Sequence, residues 1–307
     1  MPGIVNAGIP QDDRALEVGS WHIARLMRRK KFDTPEQAQA HFEALLREHG
    51  GRIPEKPAAR PEDRAQLTMY RAFAESAPRK RVAMAREALR LSSLCADAYV
   101  LLAEDEAGTP AERVALLREG VLAGERLLGE RFIKKNLGDL WGHVQARPFL
   151  RAQLGLAEAL WENGMPVESL TEYRVLFELD RGDHQGARYT LAPLLVGAGM
   201  NAEALELMDR REFAEDADPG WLYTRALLTF SMMGDIHAAR VDLEKALDAC
   251  REAGLLIAGF DNLPEPSSKE AAERAAEADE VAGELRPYWG VVKGAMPWLQ
   301  AVLQGSR

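Results

Sequence analysis

Apolar residues recur along most of the chain at the three- and four-residue intervals of an amphipathic α-helix, as in "LGLAEALW" and "EALELM". This spacing places the apolar side chains on one face of a helix. Valine, isoleucine and threonine are sparse beside alanine, leucine, glutamate and arginine, a composition that favours helices over strands. The pattern therefore predicts an all-α protein.

Three of the predicted turns recur at a fixed interval. Gly164, Gly199 and Gly234 are 35 residues apart, and each lies between two apolar helical segments. Glycine is favoured where a helix ends in the left-handed backbone conformation. A unit of helix, tight turn and helix at this period is typical of a helical-repeat array, in which each unit packs on the next.

These repeats resemble the tetratricopeptide repeat (TPR). With each glycine set at motif position 15, the small residues that the motif requires at positions 8, 20 and 27 are Ala157, Ala192, Ala204, Ala239 and Ala246. Small side chains at these positions let two helices approach closely. The resemblance implies a TPR-like right-handed α-solenoid of helix-turn-helix repeats, with N- and C-terminal helical extensions.

Prolines and breaks in the period predict the domain boundaries. Three prolines interrupt the helical pattern between an N-terminal helical extension, residues 1–50, and the array. The remaining expected segments are a Pro-rich linker at 51–61, a repeat array at 62–254 with an insertion near 129–149, and a C-terminal loop with capping helices at 255–307.

Charge and cysteine content narrow the class of protein. A net charge of −9 disfavours a broad phosphate-binding surface, so binding to nucleic acid is not expected. Cys95 and Cys250 are far apart, which argues against a disulfide framework and fits a reducing compartment. Neither an export signal nor a long apolar span is visible in the sequence. We therefore expect a cytoplasmic protein without membrane association.

Motifs that carry chemistry are missing from the sequence. It contains no phosphate-binding glycine loop, no histidine or cysteine pairs at zinc spacing, and no nucleophile elbow. We therefore expect a protein that is not an enzyme and that takes no cofactor or metal.

The segment "WGHVQARPFLRA", residues 141–152, is the first candidate site. Trp141 and Phe149 are expected to fill a wedge where the repeat period breaks. Arg147 and Arg151 either pair with acids of this chain or bind a carboxylate of a partner, which a guanidinium group contacts through two parallel hydrogen bonds.

An arginine recurs in the opening turn of successive predicted first helices. Arg151, Arg188 and Arg225 are spaced by 37 residues each time, and first helices line the concave face of such arrays. The alternative is that each arginine neutralises a nearby carboxylate such as Glu158 or Glu162. The complete set of candidate groove residues is Arg147, Arg151, Gln185, Arg188, Tyr189, Trp221 and Arg225.

Two motifs extend the resemblance to a particular family. Residues 145–152 are similar to Glu-Thr-Arg-Pro-Tyr-Met-Arg-Ala, and residues 183–189 to Asp-Asn-Gln-Gly-x-Arg-Tyr, in bacterial relatives of the suppressor-of-tumorigenicity TPR family. Gln145 stands where that family has an acid, and His184 where it has asparagine. The resemblance covers roughly residues 80–250. It implies an α-solenoid with no established catalytic role, and it names no partner.

We therefore expect a non-enzymatic interaction module or scaffold that holds a peptide or protein segment, possibly acidic, in a concave groove. One alternative is an RNA-binding helical repeat, because pentatricopeptide arrays also repeat at about 35 residues. The low isoelectric point, about 5.4, disfavours it. The other alternative is a regulatory sensor of a small anionic ligand. The sequence does not predict the oligomeric state.

Overall fold

A computed structural model of the protein describes residues 11–28, 30–53, 58–261, 263 and 265–305. These residues form sixteen α-helices and no β-strand, so the all-α prediction is confirmed for the described part of the chain. Residues 1–10 of the predicted N-terminal extension and 54–57 of the predicted linker lie outside the described residues.

The chain divides into two compact units. The N-terminal unit extends to Gln185 and the C-terminal unit begins at Gly186, so the division falls inside the predicted array. The helices of the N-terminal unit are α1 Gln11–Met27, α2 Pro35–Glu48, α3 Pro61–Ala74, α4 Pro78–Leu91, α5 Ala96–Asp105, α6 Pro110–Leu128, α7 Glu130–Lys135, α8 Arg147–Glu162 and α9 Pro166–Leu179.

The C-terminal unit is also built from helices. They are α10 Ala187–Gly197, α11 Asn201–Met208, α12 Pro219–Met233, α13 His237–Ala249, α14 Arg251–Ile257, α15 Lys269–Val291 and α16 Ala295–Gly305. Within this unit α15 packs against α14, α10 and α12.

The three glycines at the predicted joints adopt the expected backbone conformation. Gly164, Gly199 and Gly234 have φ angles of 74°, 73° and 71°. They lie between α8 and α9, between α10 and α11, and between α12 and α13. The three helix-turn-helix pairs predicted from the 35-residue period are therefore confirmed.

The small residues of the repeat motif are fully buried. Ala157, Ala192, Ala204, Ala239 and Ala246 each have 0% of their surface exposed. The prediction that these alanines are buried is therefore confirmed, and close packing at buried sites makes a larger side chain costly there.

We expect Ala192→Leu to lower the free energy of unfolding by roughly 1–3 kcal/mol, because three extra carbon atoms must fit into a closed space. Ala202→Leu is the matched control: this residue is exposed in α11, and its replacement should change stability by less than about 0.5 kcal/mol. Urea denaturation measures both variants. Equal stabilities would contradict the helix packing described here.

The expected insertion is filled by α7 and by two short 3-10 turns, Leu140–Gly142 and Val144–Ala146. Phe149 lies at the end of the insertion and is buried against Gly124, where an added Cβ atom would lie only 2.6 Å from the Phe149 Cβ atom. Trp141 is partly exposed. The expected inward packing is thus confirmed for Phe149 and holds only in part for Trp141.

Candidate functional site

Side chains from four helices of the N-terminal unit meet around one arginine. Helix α8 contributes Arg151, α5 contributes Asp97, α3 contributes Gln66 and Tyr70, and α1 contributes Glu17. We call these five residues the Arg151 cluster. Each member has less than a tenth of its surface exposed.

The Arg151 guanidinium is held by two carboxylates at once. Its Nε and Nη2 atoms donate hydrogen bonds to the two Asp97 oxygens, both at 2.8 Å. Its Nη1 and Nη2 atoms donate to the two Glu17 oxygens, both at 2.9 Å. These are two bidentate pairs, the strongest hydrogen-bonded geometry that arginine forms with carboxylates.

Neutral and charged neighbours complete the cluster. Gln66 Nε2 donates to Asp97 Oδ2 at 2.6 Å, and the Tyr70 hydroxyl donates to Glu17 Oε1 at 3.0 Å. The second arginine of the segment, Arg147, places Nη1 3.8 Å from Glu17 Oε2. Two carboxylates are therefore balanced by two guanidinium groups.

The electrostatics of the cluster keep its arginine charged. Desolvation alone would lower the pKa of the Arg151 guanidinium, but Asp97 and then Glu17 outweigh it and hold that pKa well above its usual range. Burial, with a further contribution from the Glu17 charge, raises the pKa of the Tyr70 hydroxyl, which therefore remains a hydrogen-bond donor at neutral pH.

Two further candidate residues of the N-terminal unit have structural partners. Arg147 lies over the Trp141 ring at 4.8 Å, and its Nε donates to the Trp141 carbonyl oxygen at 3.0 Å. Gln185 Nε2 donates to the Leu150 carbonyl oxygen at 3.2 Å. Arg147 is the more accessible of the two arginines, with 22% of its side chain exposed.

The candidates in the C-terminal unit form a second group. Arg188 Nε and the Tyr189 hydroxyl both donate to Asp216 Oδ2, at 2.7 and 3.0 Å. Trp221 is buried, with its ring edge-to-face against Tyr189. Burial raises the pKa of the Tyr189 hydroxyl to about 12. Arg225 Nη2 donates to Asp209 Oδ1 at 2.6 Å.

All three arginines of the predicted series contact carboxylates of their own chain. The sequence suggested Glu158 or Glu162 as neutralising groups, and this was wrong: Glu162 pairs with Arg113. The exposed fraction of the side chain rises from 7% for Arg151 to 15% for Arg188 and 32% for Arg225. The buried Arg151 is also not accessible to a partner while Glu17 is bound.

Sequence reasoning missed four of the five cluster members. Asp97 could have been found from the sequence, because it is a lone carboxylate in the apolar segment "CADAYVLL". In the structure it is fully buried. A carboxylate at such a position needs a cationic partner. Glu17, Gln66 and Tyr70 carried no such signal.

A cavity of about 220 Å³ lies beside the cluster in the N-terminal unit. Its wall includes Trp21, Gln66, Cys95 and Phe132, and two arginines, Arg28 and Arg60, also line it. Burial raises the pKa of the Cys95 thiol to about 12, so this thiol stays protonated.

Another buried carboxyl group, that of Glu158, lies apart from the cluster on the last turns of α8. Burial raises the pKa of Glu158 to about 7; the nearby Arg113 opposes this shift, and Glu162 and Glu104 add to it. The side chain thus titrates near neutral pH.

This titration predicts a pH-dependent stability. The Glu158 carboxyl keeps its proton in the folded chain up to about pH 7, while the unfolded chain releases it near 4.5. The contribution of the protonated Glu158 carboxyl to the free energy of unfolding is therefore complete below pH 4.5. It should be lost as the pH rises to about 7. Glu158→Gln mimics the protonated form and should be more stable than wild type at pH 8, by on the order of 3 kcal/mol.

Melting temperatures of wild type and Glu158→Gln, recorded from about pH 4 to 8, test this expectation. The difference should grow as the pH rises. Glu168→Gln is the control, because this glutamate is exposed on α9 and does not contribute to the shift of the Glu158 pKa. A constant difference between Glu158→Gln and wild type would contradict the assignment.

Among the residues that the structure describes, no group of three or more histidine, cysteine, aspartate or glutamate side chains is arranged to hold a metal ion. No helix in the same part of the chain is both long and apolar enough to cross a membrane.

The comparisons with known proteins point to one family. Residues 54–138 match the family model for the suppressor of tumorigenicity 7 protein. The chain is 40% identical over 70 residues to a suppressor of tumorigenicity 7 protein-like sequence from Gallus gallus, covering 23% of this chain and 12% of that relative. The Homo sapiens counterpart is 41% identical over 68 residues, covering 22% and 11%.

These relatives are much longer than the matched segment, since the chain spans about 12% of their length. No solved structure matches the chain. The family match includes α3 and α5, with Gln66, Tyr70 and Asp97, and it ends before Arg147 and Arg151. The comparisons therefore support a relationship to the suppressor of tumorigenicity 7 proteins over residues 54–138.

Proposed function

We propose that this chain is a non-enzymatic protein-interaction module whose first helices hold a segment of a partner protein. The observation that supports the proposal most is the contact between α1 and the α3/α5/α8 face, by which we mean the surface around the Arg151 cluster. On this face Glu17 of α1 bonds to Arg151 of α8 and to Tyr70 of α3, and Asp97 of α5 holds Arg151 in place. A helix of this chain is bound there through a carboxylate, so the face has the shape and charge to bind a helix.

The charge of this face favours an acidic partner. Without Glu17, the guanidinium groups of Arg147 and Arg151 exceed the single carboxylate of Asp97 by one positive charge. An acidic segment compensates that charge, and electrostatic complementarity favours it over a basic one.

The proposed architecture is a TPR-type α-solenoid over residues 62–254. Its support is the 35-residue period together with the left-handed glycines between paired helices. Two unpaired, buried cysteine thiols support a reducing, cytoplasmic location. The motifs at 145–152 and 183–189 support a relationship to bacterial members of the suppressor-of-tumorigenicity family.

The corresponding face of the C-terminal unit is a weaker candidate. Helix α15 packs against α10 and α12, with Trp289 of α15 edge-to-face on Tyr223 of α12. Partner binding through Arg188, Tyr189, Trp221 and Arg225 stays a prediction, since these side chains already bond or pack within the unit.

A sensor of a small anionic ligand is a weaker candidate, because Arg28 and Arg60 in the cavity wall pair with Asp63 and Glu62, which line the same cavity. An RNA-binding role is disfavoured, because a net charge of −9 and internally paired arginines offer phosphates little positive surface.

The test is capture of partners on the full chain, with nuclease treatment as the control for RNA. The captured protein is then added to the purified chain and amide hydrogen exchange is measured. We expect slower exchange in α3, α5 and α8 and weaker binding at high salt. Nuclease-sensitive capture, or protection confined to other helices, would contradict the proposal.

A further inference from the structure

We propose that α1 is a displaceable internal ligand, and that the partner of the α3/α5/α8 face is an acidic helix that replaces it. The partner helix would present a glutamate and, four residues later, an aromatic ring, as α1 presents Glu17 and Trp21. This inference rests on the proposed function, because it takes the α3/α5/α8 face as the binding surface.

Two anchors one helical turn apart hold α1. Glu17 enters the Arg151 cluster, and Trp21 packs its ring edge-to-face on Tyr70, with the ring centres 5.9 Å apart. Val144 and Leu67 complete the apolar contact around Trp21. Residues four apart share one face of a helix, so a single helix face makes both contacts.

The rest of α1 contributes little buried surface. Among the side chains described between residues 17 and 27, only Glu17, Trp21 and His22 are buried. At the C-terminal end of α1, Arg25 Nε lies 3.4 Å from Asp63 Oδ2. Glu17 and Trp21 are therefore the two buried anchors that reach the α3/α5/α8 face, and ion pairs of Arg25 and Arg28 with Asp63 add to the attachment.

The connection from α1 to α3 allows α1 to leave without unfolding another element. None of the residues described between 23 and 64 is buried, and α2 lies within this segment. Because this connection keeps α1 attached to the chain, α1 binds its site as an intramolecular ligand with a raised effective concentration. A competing helix must therefore bind more tightly than α1 does.

Charge determines what can replace α1. Removing Glu17 exposes two Arg151 N–H groups and the Tyr70 hydroxyl that previously bonded its oxygens. It also leaves the excess positive charge of Arg147 and Arg151 over Asp97. A second carboxylate restores both the bonds and the balance, whereas an amide restores neither the charge nor the two acceptor oxygens.

A second copy of this chain is a weaker competitor than a different protein. Its α1 offers the same contacts as the resident α1 and lacks the advantage of the tether. A helix with the same two anchors and additional contacts overcomes that advantage. We therefore assign the surface to a partner protein that carries an acidic and aromatic helix.

A labelled synthetic peptide with the sequence of residues 11–27 tests the proposal. Its binding is measured by fluorescence anisotropy against the full-length wild type, Glu17→Gln and Trp21→Ala chains. Each variant weakens one anchor of the resident helix and leaves the receptor intact. We expect both variants to bind the peptide at least tenfold more tightly than wild type, since a charge-assisted hydrogen bond and a buried aromatic ring each change affinity by about tenfold or more.

The control peptide carries Glu17→Gln and should bind at least about tenfold more weakly. Circular dichroism checks the fold of each variant, and the second variant keeps the test valid when the first does not fold. Failure of both folded variants to bind the peptide would show that α1 is a fixed structural element, and equal binding to wild type and variants would show that the peptide binds elsewhere. A wild-type dimer that exchanges α1 between copies, detected by light scattering, would overturn the assignment to a different protein.

Hydrogen exchange separates this inference from the proposed function. A captured partner that displaces α1 should protect α3, α5 and α8 and, in the same experiment, accelerate exchange in α1. Protection of α3, α5 and α8 with unchanged exchange in α1 would leave the interaction module standing and refute displacement. No protection of these helices would refute the module itself.

Discussion

Replacing Arg151 with alanine should lower the free energy of unfolding by about 3–5 kcal/mol, because it leaves carboxylates buried without their cation. Asp97 is fully buried, and both of its oxygens accept hydrogen bonds from the Arg151 guanidinium. Glu17 loses its bidentate partner at the same time. Urea denaturation at neutral pH measures the loss.

Arg225→Ala is the matched control for this experiment. Arg225 occupies the corresponding place in the predicted arginine series, but its pair with Asp209 is largely open to solvent, with 32% of the Arg225 side chain and 52% of the Asp209 side chain exposed. Exposed ion pairs contribute about 0–1 kcal/mol, so this variant should remain close to wild type. Similar losses for Arg151→Ala and Arg225→Ala would contradict the structural difference between the two positions.

Trp289→Ala should destabilise the C-terminal unit by about 3–5 kcal/mol, because it leaves a large cavity in a closed core. Trp289 has 0% of its surface exposed. Its ring stacks on Trp298 of α16 with centres 6.1 Å apart and meets Tyr223 of α12 edge-to-face. Thermal and chemical unfolding, followed by tryptophan fluorescence and circular dichroism, measure the effect.

Two substitutions on the same helix serve as controls for Trp289→Ala. Trp289→Phe keeps much of the packing, and the indole Nε1 that it removes is buried without a hydrogen-bond partner. Trp289→Phe should therefore lower the free energy of unfolding clearly less than Trp289→Ala does. Val291→Ala changes a residue that is 66% exposed and should alter stability by less than about 0.5 kcal/mol. Equal losses for all three variants would exclude this packing role for Trp289.

The helical pairs could be predicted because their signals are local. A glycine with positive φ, a small residue at a close approach and an apolar stripe all act within one repeat, so Gly199, Ala192 and Ala204 could be placed from the sequence. The partner of a buried charge is not a local property. Glu17 lies 134 residues from Arg151 in the chain, and nothing in the period relates the two.

The arginine series illustrates the same limit. Arg151 and Arg225 occupy similar positions in similar predicted helices, so their sequence context is alike. Their surroundings differ because α1 and α5 enclose Arg151 with two carboxylates, whereas Arg225 meets one exposed carboxylate. Burial is decided by elements that lie outside the repeat, and a repeat pattern therefore predicts the position of an arginine better than its role.

The buried Cys95 thiol beside the Arg151 cluster can report whether α1 is bound. Cys95 shares the wall of its cavity with Trp21 of α1, and its protonated thiol reacts slowly with alkylating reagents. We expect the alkylation rate of Cys95, measured in a Cys250→Ser chain, to rise when α1 leaves, because Trp21 then no longer lines the cavity. A partner that holds α1 away should speed this labelling, whereas one that binds elsewhere should leave the rate unchanged.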